Sequence, residues 1–214
     1  MNTINLNDLR QEYLQGKLES TSTSSSPFKQ FAKWFERAVA ASSPLPEAAT
    51  LCTTDKKGRP NARVILLKDY GENGFTFFTN YESKKGKELK KNPYVALNFF
   101  WPALEQQIRI RGKLALLPEK ASDAYFKTRP RESQLASWAS KQSSAVGSRR
   151  ELELAFREVS TRFYNQDVPR PPNWGGYVLK PDYFEFWQGR QNRLHDRITY
   201  TLKKKNWQKS RLAP

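Results

Sequence analysis

The chain has 214 residues and one cysteine, so its length suits one domain with a sizeable core and its single thiol excludes an internal disulfide. Lys and Arg total 37 against 21 Asp and Glu, and the resulting net charge of +16 favours an anionic partner. Nucleic acid, an acidic membrane surface and phosphorylated small molecules all satisfy that charge.

The sequence lacks the features of two of these partners. A nucleic-acid-binding protein should combine a basic stripe with a reader motif, and neither zinc-finger spacing nor an aromatic RNA-recognition signature is present. No apolar run approaches the length of a membrane span, and Met1–Arg10 contains no apolar signal core. We therefore expect a soluble cytoplasmic protein with no membrane partner and no specific nucleic-acid partner. The lack of a Cys or His cluster predicts no metal site.

Residues 1–26 are predicted to form a flexible N-terminal arm, because the tract from Ser20 to Ser26 is polar and rich in serine. The first firm helix should begin at Pro27, with Ser26 as its N-cap, and it carries four aromatic residues at helical spacing. A single domain is predicted over residues 27–214.

The elements after this helix are mostly strands. We predict strands over 48–53, 62–68, 75–79, 94–101, 106–117, 176–180, 183–188, 196–202 and 207–212. We predict helices over 82–91, 118–129, from 130 onward, and 148–165. Because helices do not alternate regularly with strands, a doubly wound parallel sheet is not expected. The pattern predicts a mainly β (α+β) fold, with an antiparallel sheet or small barrel and flanking helices.

Two segments place cations where an anion could bind. Arg63 and Lys68 bracket an apolar strand, and strict alternation would put them on opposite faces, so a shared site needs a bulge or a strand-end position. Thr79 ends a strand, and the helix that follows carries Lys84 and Lys85 in its first turn. Lysines there oppose the helix dipole, and a bound phosphate would offset that cost. Taken alone, each segment is also compatible with an ordinary solvated surface.

Two further segments bring hydroxyls and amides near cations. Tyr125 and Arg129 are four residues apart on one predicted helix face, and Ser133 lies in the first turn after Pro130. These three residues form a plausible phosphate clamp, and an exposed corner between two helices is the alternative. The polar loop Lys141–Ser144 could add amide and hydroxyl contacts, or could be an ordinary linker.

The stretch Trp187–Arg197 contains the only histidine, His195. If the stretch is extended, Arg193, His195 and Arg197 lie on one face. The two arginines would lower the pKa of the imidazole and favour its neutral form. Such a face suits a substrate with a phosphate or a phenolate, and the sequence offers no nucleophile for a Ser-His-Asp triad.

These motifs are specific in combination and extend over nearly the whole chain. They are Leu9–Tyr13, Arg63–Lys68, Thr79–Lys85, Gln106-Gln107, Tyr125–Ser133, Ser140–Ser144, Trp174–Gly176, Glu185–Gly189 leading to Arg193–Arg197, and Arg211–Pro214. In this combination the chain resembles the pyridoxine/pyridoxamine 5′-phosphate oxidase family.

The resemblance implies an FMN-binding split β-barrel with flanking helices, in a homodimer with FMN at the subunit interface. It implies oxidation of pyridoxine or pyridoxamine 5′-phosphate to pyridoxal 5′-phosphate, with O2 as the acceptor, H2O2 as a product and NH3 from the amine. The clamp of Tyr125, Arg129 and Ser133 and the pair Arg193 and His195 favour this activity over another split-barrel flavin oxidoreductase. A basic polyanion-binding module is the remaining alternative.

The implied site residues follow by position from the resemblance. Those for FMN are Arg63, Val64, Ile65, Leu66, Leu67, Lys68, Phe78, Thr79, Lys84, Lys85, Gln107, Gln142, Ser143, Trp187 and Arg197. Those for the substrate are Arg10, Gln11, Glu12, Tyr13, Lys68, Tyr125, Arg129, Ser133, Arg193, Leu194 and His195. Arg193 and His195 are the implied catalytic pair, and Arg10–Tyr13 is the implied lid over the occupied site.

Two positions depart from the family pattern. Lys84 stands where members of the family often have Arg, so the charge is kept and the bidentate fork is lost, which predicts somewhat weaker FMN binding. Phe78 stands where Tyr is usual, which is harmless if the family's contact is made through the backbone.

Overall fold

The structure, a computed structural model, describes residue 5 and residues 12–214. The helices of this part of the chain are α1 Pro27–Ala40, α2 Lys84–Lys91, α3 Glu119–Lys127, α4 Arg131–Ala139 and α5 Arg149–Arg162. Its strands are β1 Ala48–Thr54, β2 Pro60–Leu66, β3 Asp69–Gly71, β4 Gly74–Asn80, β5 Tyr94–Trp101, β6 Gln106–Leu116, β7 Trp174–Gln188, β8 Asp196–Lys203 and β9 Asn206–Leu212.

These strands form one nine-stranded sheet within the described residues. Its order is β2-β1-β5-β6-β7-β4-β3, while β8 pairs with β7 and β9 pairs with β8. The pairs β3–β4, β4–β7, β7–β8 and β8–β9 are antiparallel. The predicted fold class, mainly β with helices around the sheet, is confirmed. No helix in residues 12–214 is long and apolar enough to cross a lipid bilayer.

The described residues divide into two compact units, and we treat each separately. The first unit contains residues up to Thr50 together with Leu97–Arg111 and Pro181–Pro214. The second contains Leu51–Ala96 and Gly112–Lys180. The prediction of one domain over 27–214, preceded by an arm, stays a prediction.

The core of the first unit forms around α1. The Ser26 hydroxyl accepts the backbone N–H of Lys29 and Pro27 opens the helix, which confirms the predicted start. Phe31 and Trp34 are almost fully buried, and their rings pack edge-to-face on Phe99 and Phe186, each at 5.3 Å. The apolar face of α1 therefore packs against the sheet, as expected for an amphipathic helix.

The Ser-rich tract before α1 contacts the β8–β9 hairpin in the same unit. The Tyr200 hydroxyl donates to the Ser24 carbonyl at 2.6 Å, and the Lys209 ammonium donates to the Ser20 carbonyl at 2.6 Å. Thr23 is buried. Composition alone did not predict these contacts, because they depend on residues more than 170 positions away along the chain.

The second unit contains β4, the first half of β7 and the helices α2 to α5. In this register Phe77 pairs with Tyr177, and their rings stack at 5.8 Å. A separate apolar cluster under the helices consists of Phe126, Leu135, Phe163, Val168 and Trp174. This cluster fixes the positions of α3 and α4, and the residues of the predicted phosphate clamp lie on these helices and at the corner between them.

The element bounds differ from the prediction in several places, including the following three. Strand β7 is continuous where two strands were predicted, because Pro181 lies between the β4 pairing, which ends at Leu179, and the β8 pairing, which starts at Tyr183. Proline has no backbone N–H to donate, but at this position neither the pairing with β4 nor the pairing with β8 needs one. Residues 69–71, predicted as part of a turn, form the short strand β3, and α5 ends at Arg162, before the predicted end.

Candidate active site

A large cavity lies in the second unit and has a volume of about 940 Å³. Its walls come from β2, β4, the start of α2, the α3–α4 corner and the loop after α4. Five cationic side chains line it, namely Arg63, Lys68, Lys84, Lys85 and Arg129. No Asp or Glu is among the described residues that line it. Such a wall attracts anions strongly.

Arg63 and Lys68 reach this one cavity because β2 ends between them. The strand stops at Leu66, and Lys68 lies beyond it, where its backbone N–H donates to the Thr76 carbonyl at 2.8 Å. The strand-end alternative of the sequence analysis is therefore confirmed. Val64, Ile65 and Leu66 also line the cavity, whereas Leu67 is buried and does not.

Arg63 is held in place by a buried acid. Its guanidinium donates to Glu88 at 3.1 Å, to the Leu51 carbonyl at 3.2 Å and to the Thr53 hydroxyl. Burial by itself raises the pKa of Glu88, but hydrogen bonds from Thr53 and Asn61 and the charge of Arg63 outweigh it and lower the pKa. Glu88 is therefore charged and fixes the orientation of Arg63.

Helix α2 begins at the cavity with its N-terminal turn. The Ser83 hydroxyl accepts the Gly86 N–H, and an added Cβ at Gly86 would collide with the Tyr81 carbonyl. The Lys85 ammonium donates to the Thr79 hydroxyl at 2.9 Å and to the Gln142 side-chain oxygen at 3.3 Å. Burial, and then the charge of Arg63, lower the pKa of Lys85. A phosphate bound here would offset both effects.

The predicted clamp is assembled, but not on one helix face. Helix α3 ends at Lys127, so Arg129 lies beyond it, and the prediction that Tyr125 and Arg129 share a helix face is wrong. Arg129 instead donates to the Ser137 hydroxyl at 2.6 Å, and its guanidinium lies 4.6 Å from the Trp174 ring centroid. Burial lowers the pKa of Arg129. Tyr125, Arg129 and Ser133 all line the cavity.

The ring of Phe78 belongs to an aromatic stack in the cavity wall. It lies 3.8 Å from the Tyr125 ring and 5.4 Å from the Trp174 ring, nearly parallel to both. Phe78 therefore contributes its side chain to the wall and supports Tyr125. Burial raises the pKa of Tyr125, which keeps its hydroxyl protonated and able to donate to an anion.

The first unit holds a second group of predicted residues around His195. The backbone N–H of Arg190 donates to His195 Nδ1 at 3.1 Å. Burial, and then Arg193, lower the pKa of His195, so the neutral imidazole is favoured as predicted. The ring of Tyr13 meets Trp187 and His195 edge-on, with centroids at 5.6 and 5.3 Å.

The interpretation of Arg193, His195 and Arg197 as one face of an extended strand is wrong. Residues Gln191–Arg193 form a 3-10 turn, and β8 begins only at Asp196. Asn192 and Arg193 have φ values of 54° and 59°, in the left-handed region that non-glycine residues rarely adopt. This turn folds the chain back so that His195 meets the backbone of Arg190.

Comparison with known proteins gives a consistent result over the full length. The model of the pyridoxamine 5′-phosphate oxidase family matches residues 35–163, and that of the pyridoxine 5′-phosphate oxidase C-terminal dimerisation region matches 174–214. The chain belongs to the pyridoxine/pyridoxamine 5′-phosphate oxidase family. Proteins of that name from Bordetella pertussis and a Cyanothece species are 50% and 47% identical over 212 residues, which is 99% of this chain and 100% of each relative. The chain is therefore an oxidoreductase of a flavoprotein family.

Solved structures agree on the fold of this oxidase family. PhzG from Burkholderia lata, in complex with tetrahydrophenazine-1-carboxylic acid, has a TM-score of 0.86 and 30% identity, covering 91% of this chain and 95% of that one. An FMN-binding, pyridoxamine 5′-phosphate oxidase-related protein from Nostoc punctiforme has a TM-score of 0.70 at 16% identity, covering 90% and 100%. The predicted split-barrel fold is confirmed.

The residues implied by the oxidase family divide between the two units. Those that line the cavity are Arg63, Val64, Ile65, Leu66, Lys68, Phe78, Thr79, Lys84, Lys85, Tyr125, Arg129, Ser133, Gln142 and Ser143. Of the other implied residues, Leu67 belongs to the second unit. Those that belong to the first unit are Gln107, Trp187, Arg197, Glu12, Tyr13, Arg193, Leu194 and His195. Arg10 and Gln11 lie outside the described residues.

Several lining residues were not predicted from the sequence to have a role. They are Asn61, Ala62, Asn80, Thr128, Pro130, Ala136, Ser137, Ser140 and Trp174. Ser137 had a weak signal, because it lies four residues after Ser133 on a helix and so shares its face. Trp174 was part of a quoted motif, and its contact with Arg129 depends on tertiary packing.

Proposed function

We propose that this protein catalyses the FMN-dependent oxidation of pyridoxine 5′-phosphate and pyridoxamine 5′-phosphate to pyridoxal 5′-phosphate. Each turnover removes two electrons from the substrate and passes them to O2, which gives H2O2. The amine also consumes water and releases NH3. The reaction would serve pyridoxal phosphate synthesis and salvage. The observation that carries the proposal is the acid-free cavity with five cations, which has enough charge for two phosphate groups.

The cavity fits the phosphate end of FMN in its donor set. Arg63, Lys84 and Lys85 supply charge, and Thr79 and Gln142 supply polar contacts beside Lys85. Burial and the charge of Arg63 lower the pKa of Lys85, and a bound anion would stabilise the ammonium against both effects. When bound, FMN supplies the electron-accepting centre that takes a hydride from the 4′ carbon of the substrate.

The substrate phosphate would be bound by Lys68, Tyr125, Arg129 and Ser133. Ser137 fixes one N–H of Arg129, and the Trp174 ring supports the guanidinium plane. The protonated Tyr125 hydroxyl adds a neutral donor. A phosphate held by such preorganised groups would align the reacting carbon without any nucleophile from the protein.

Arg193 and His195 would position the pyridine ring at the reacting carbon. The neutral imidazole uses Nδ1 to accept the Arg190 N–H, which leaves Nε2 to donate to the substrate oxygen or amine. The arm residues Arg10, Gln11, Glu12 and Tyr13 would cover the occupied site as a lid, and Leu194 would contact the substrate. The edge contacts of Tyr13 with Trp187 and His195 support that role.

The proposal includes a homodimer with FMN at the subunit interface. Two observations support it, the match of residues 174–214 to the family's dimerisation region and the apolar face of β2. On that strand Val64 is 66% exposed and Leu66 is 38% exposed, although both are large and apolar. A second copy that covered this face would bury both side chains.

The experiment is an activity assay on the purified protein. We expect flavin absorbance, release of FMN on denaturation, and formation of pyridoxal 5′-phosphate and H2O2 when either phosphorylated substrate is added under O2. A colourless protein that FMN does not bind would favour a polyanion-binding module. A flavoprotein that oxidises tetrahydrophenazine-1-carboxylic acid, and neither pyridine phosphate, would favour an activity suggested by the PhzG relative.

A further inference from the structure

Glu185 is a buried acid in the first unit to which the family resemblance assigns no role. It lies on β7, is 3% exposed, and stands between the fully buried residues Phe184 and Phe186. Both of its oxygens are used. Oε1 accepts from Arg197 Nε at 2.9 Å and lies 2.8 Å from Nη2 in an ion pair, and Oε2 accepts from Arg109 at 3.1 Å. A buried carboxylate persists only when it is paired in this way.

The strand geometry ties Glu185 to two predicted FMN residues. Glu185 and Trp187 are two positions apart on β7, so their side chains project from the same face. Trp187 is the direct β8 partner of Arg197 in the antiparallel register. Glu185 therefore reaches Arg197 along the same face of the sheet that carries the Trp187 ring.

The guanidinium of Arg197 is left with a defined set of free donors. Of its five N–H groups, the one on Nε donates to Glu185 and one on Nη1 donates to the Ala213 carbonyl at 2.8 Å, while Nη2 is in ion-pair contact with Glu185. The other N–H groups of Nη1 and Nη2 remain for a ligand. Contacts on both sides hold the guanidinium plane, so these N–H groups have a fixed direction.

We propose that Glu185 is a positioning residue that acts through Arg197 and fixes its remaining N–H groups for FMN. The inference rests on the proposed function, in which Arg197 contacts FMN. Glu185 itself touches no ligand in this account. Its contribution is the orientation of a donor that a free arginine side chain would spread over many rotamers.

The other partners of Glu185 provide matched controls, because they bind the opposite oxygen. Arg109 contacts only Oε2 and has a side chain that is 46% exposed. The Tyr183 hydroxyl donates to the same oxygen at 3.0 Å, and burial followed by the charge of Glu185 raises the pKa of Tyr183 and keeps it protonated. Removing Arg109 should therefore leave the contact between Glu185 and Arg197 in place.

The test is a double-mutant cycle on the Kd of FMN for the full-length protein, with Glu185→Gln, Arg197→Met and the combination. We expect Glu185→Gln to raise the Kd about tenfold in the wild-type background, and less than about twofold in the Arg197→Met background, because an effect through Arg197 vanishes when Arg197 is absent. Arg109→Met should change the Kd less than about threefold. Equal increases in both backgrounds, or no increase in either, would overturn the proposal.

A second variant decides the matter if Glu185→Gln does not fold. Arg197→Lys keeps the charge and loses the Nε contact through which Glu185 orients the side chain. A Kd that rises about as much as in Arg197→Met supports positioning, whereas a Kd near that of the wild type contradicts it. The wild-type protein distinguishes failure of the proposed function from failure of the role of Glu185. If the wild-type protein binds no FMN, the proposed function is wrong. If it binds FMN and the effects of the two mutations on the Kd are additive, only the role of Glu185 is wrong.

Discussion

His195 accepts the backbone N–H of Arg190 through Nδ1 at 3.1 Å, which requires an unprotonated Nδ1. Burial, and then Arg193, lower the pKa of this imidazole. We therefore predict that the histidine titrates below its ordinary value of 6.5. His195 is the only histidine in the chain, so its imidazole NMR signal can be followed against pH without ambiguity. A midpoint above 6.5 would contradict the neutral assignment.

The variant Arg193→Leu gives that measurement its control. Removing the nearby positive charge should raise the midpoint, while burial, the larger cause, should keep it below 6.5. The same variant should retain FMN and lose turnover, because Arg193 is proposed to hold the substrate and not the cofactor. Near-normal turnover would remove Arg193 from the catalytic pair.

FMN affinity should depend on pH through Lys85. Its pKa is lowered from the usual 10.5 by burial and by Arg63, so the ammonium becomes neutral at a lower pH than an ordinary lysine. The Kd of FMN should therefore rise as the pH increases through this lowered value. The variant Lys85→Arg should keep its affinity for FMN up to a higher pH than the wild type, since arginine stays charged. Lys87→Met, an exposed lysine on the same helix, should leave the pH profile unchanged.

Arg129 should determine the preference for phosphorylated substrates. Arg129→Met removes a charged donor from the phosphate clamp, which is worth about 2 kcal/mol, or roughly a 30-fold loss in kcat/KM for pyridoxine 5′-phosphate. Ser137→Ala frees the guanidinium that Ser137 holds at 2.6 Å and should cost about 1 kcal/mol, roughly fivefold. The rate with unphosphorylated pyridoxine should change little in either variant. An equal loss for both substrates would show that the clamp acts on something other than phosphate.

Gly189 should control the packing of Tyr13. An added Cβ at this position would lie 2.6 Å from the Tyr13 ring, so Gly189→Ala should displace the ring from Trp187 and His195. We expect faster trypsin cleavage after the exposed Lys17, and a lower kcat/KM, with little change in Tm. Gly71→Ala has open space around it and serves as the control. Unchanged proteolysis in Gly189→Ala would mean that the arm is held elsewhere.

Local sequence rules were sufficient for much of the fold. The Ser26–Pro27 start of α1 follows from capping preferences, and the aromatic spacing after it follows from helical periodicity. The apolar run between Arg63 and Lys68 was likewise visible as part of a strand, because a short apolar run between polar residues is typical of a buried strand. These signals lie within a few residues of one another, where pattern arguments are strongest.

The features that the sequence did not predict depend on tertiary contacts or on an unusual backbone conformation. The left-handed pair at Asn192 and Arg193 has no sequence signal for Arg193, so an extended strand was the simpler prediction. Arg129 was expected on the same helix face as Tyr125. It instead lies beyond the end of α3 and donates to the Ser137 hydroxyl. The role proposed for Glu185 depends on a strand register that brings it to Arg197. A short stretch of sequence is not enough to predict any of these relationships.

The proposed oxidation can be observed by mixing the FMN-loaded protein with pyridoxine 5′-phosphate in the absence of oxygen. We predict that the visible flavin absorbance is lost and that one pyridoxal 5′-phosphate forms per bound flavin, with the colour restored when O2 is admitted. Arg129→Met should need a much higher substrate concentration for the same half-maximal rate. A flavin that stays oxidised in the presence of saturating pyridoxine 5′-phosphate and pyridoxamine 5′-phosphate would contradict the proposed function.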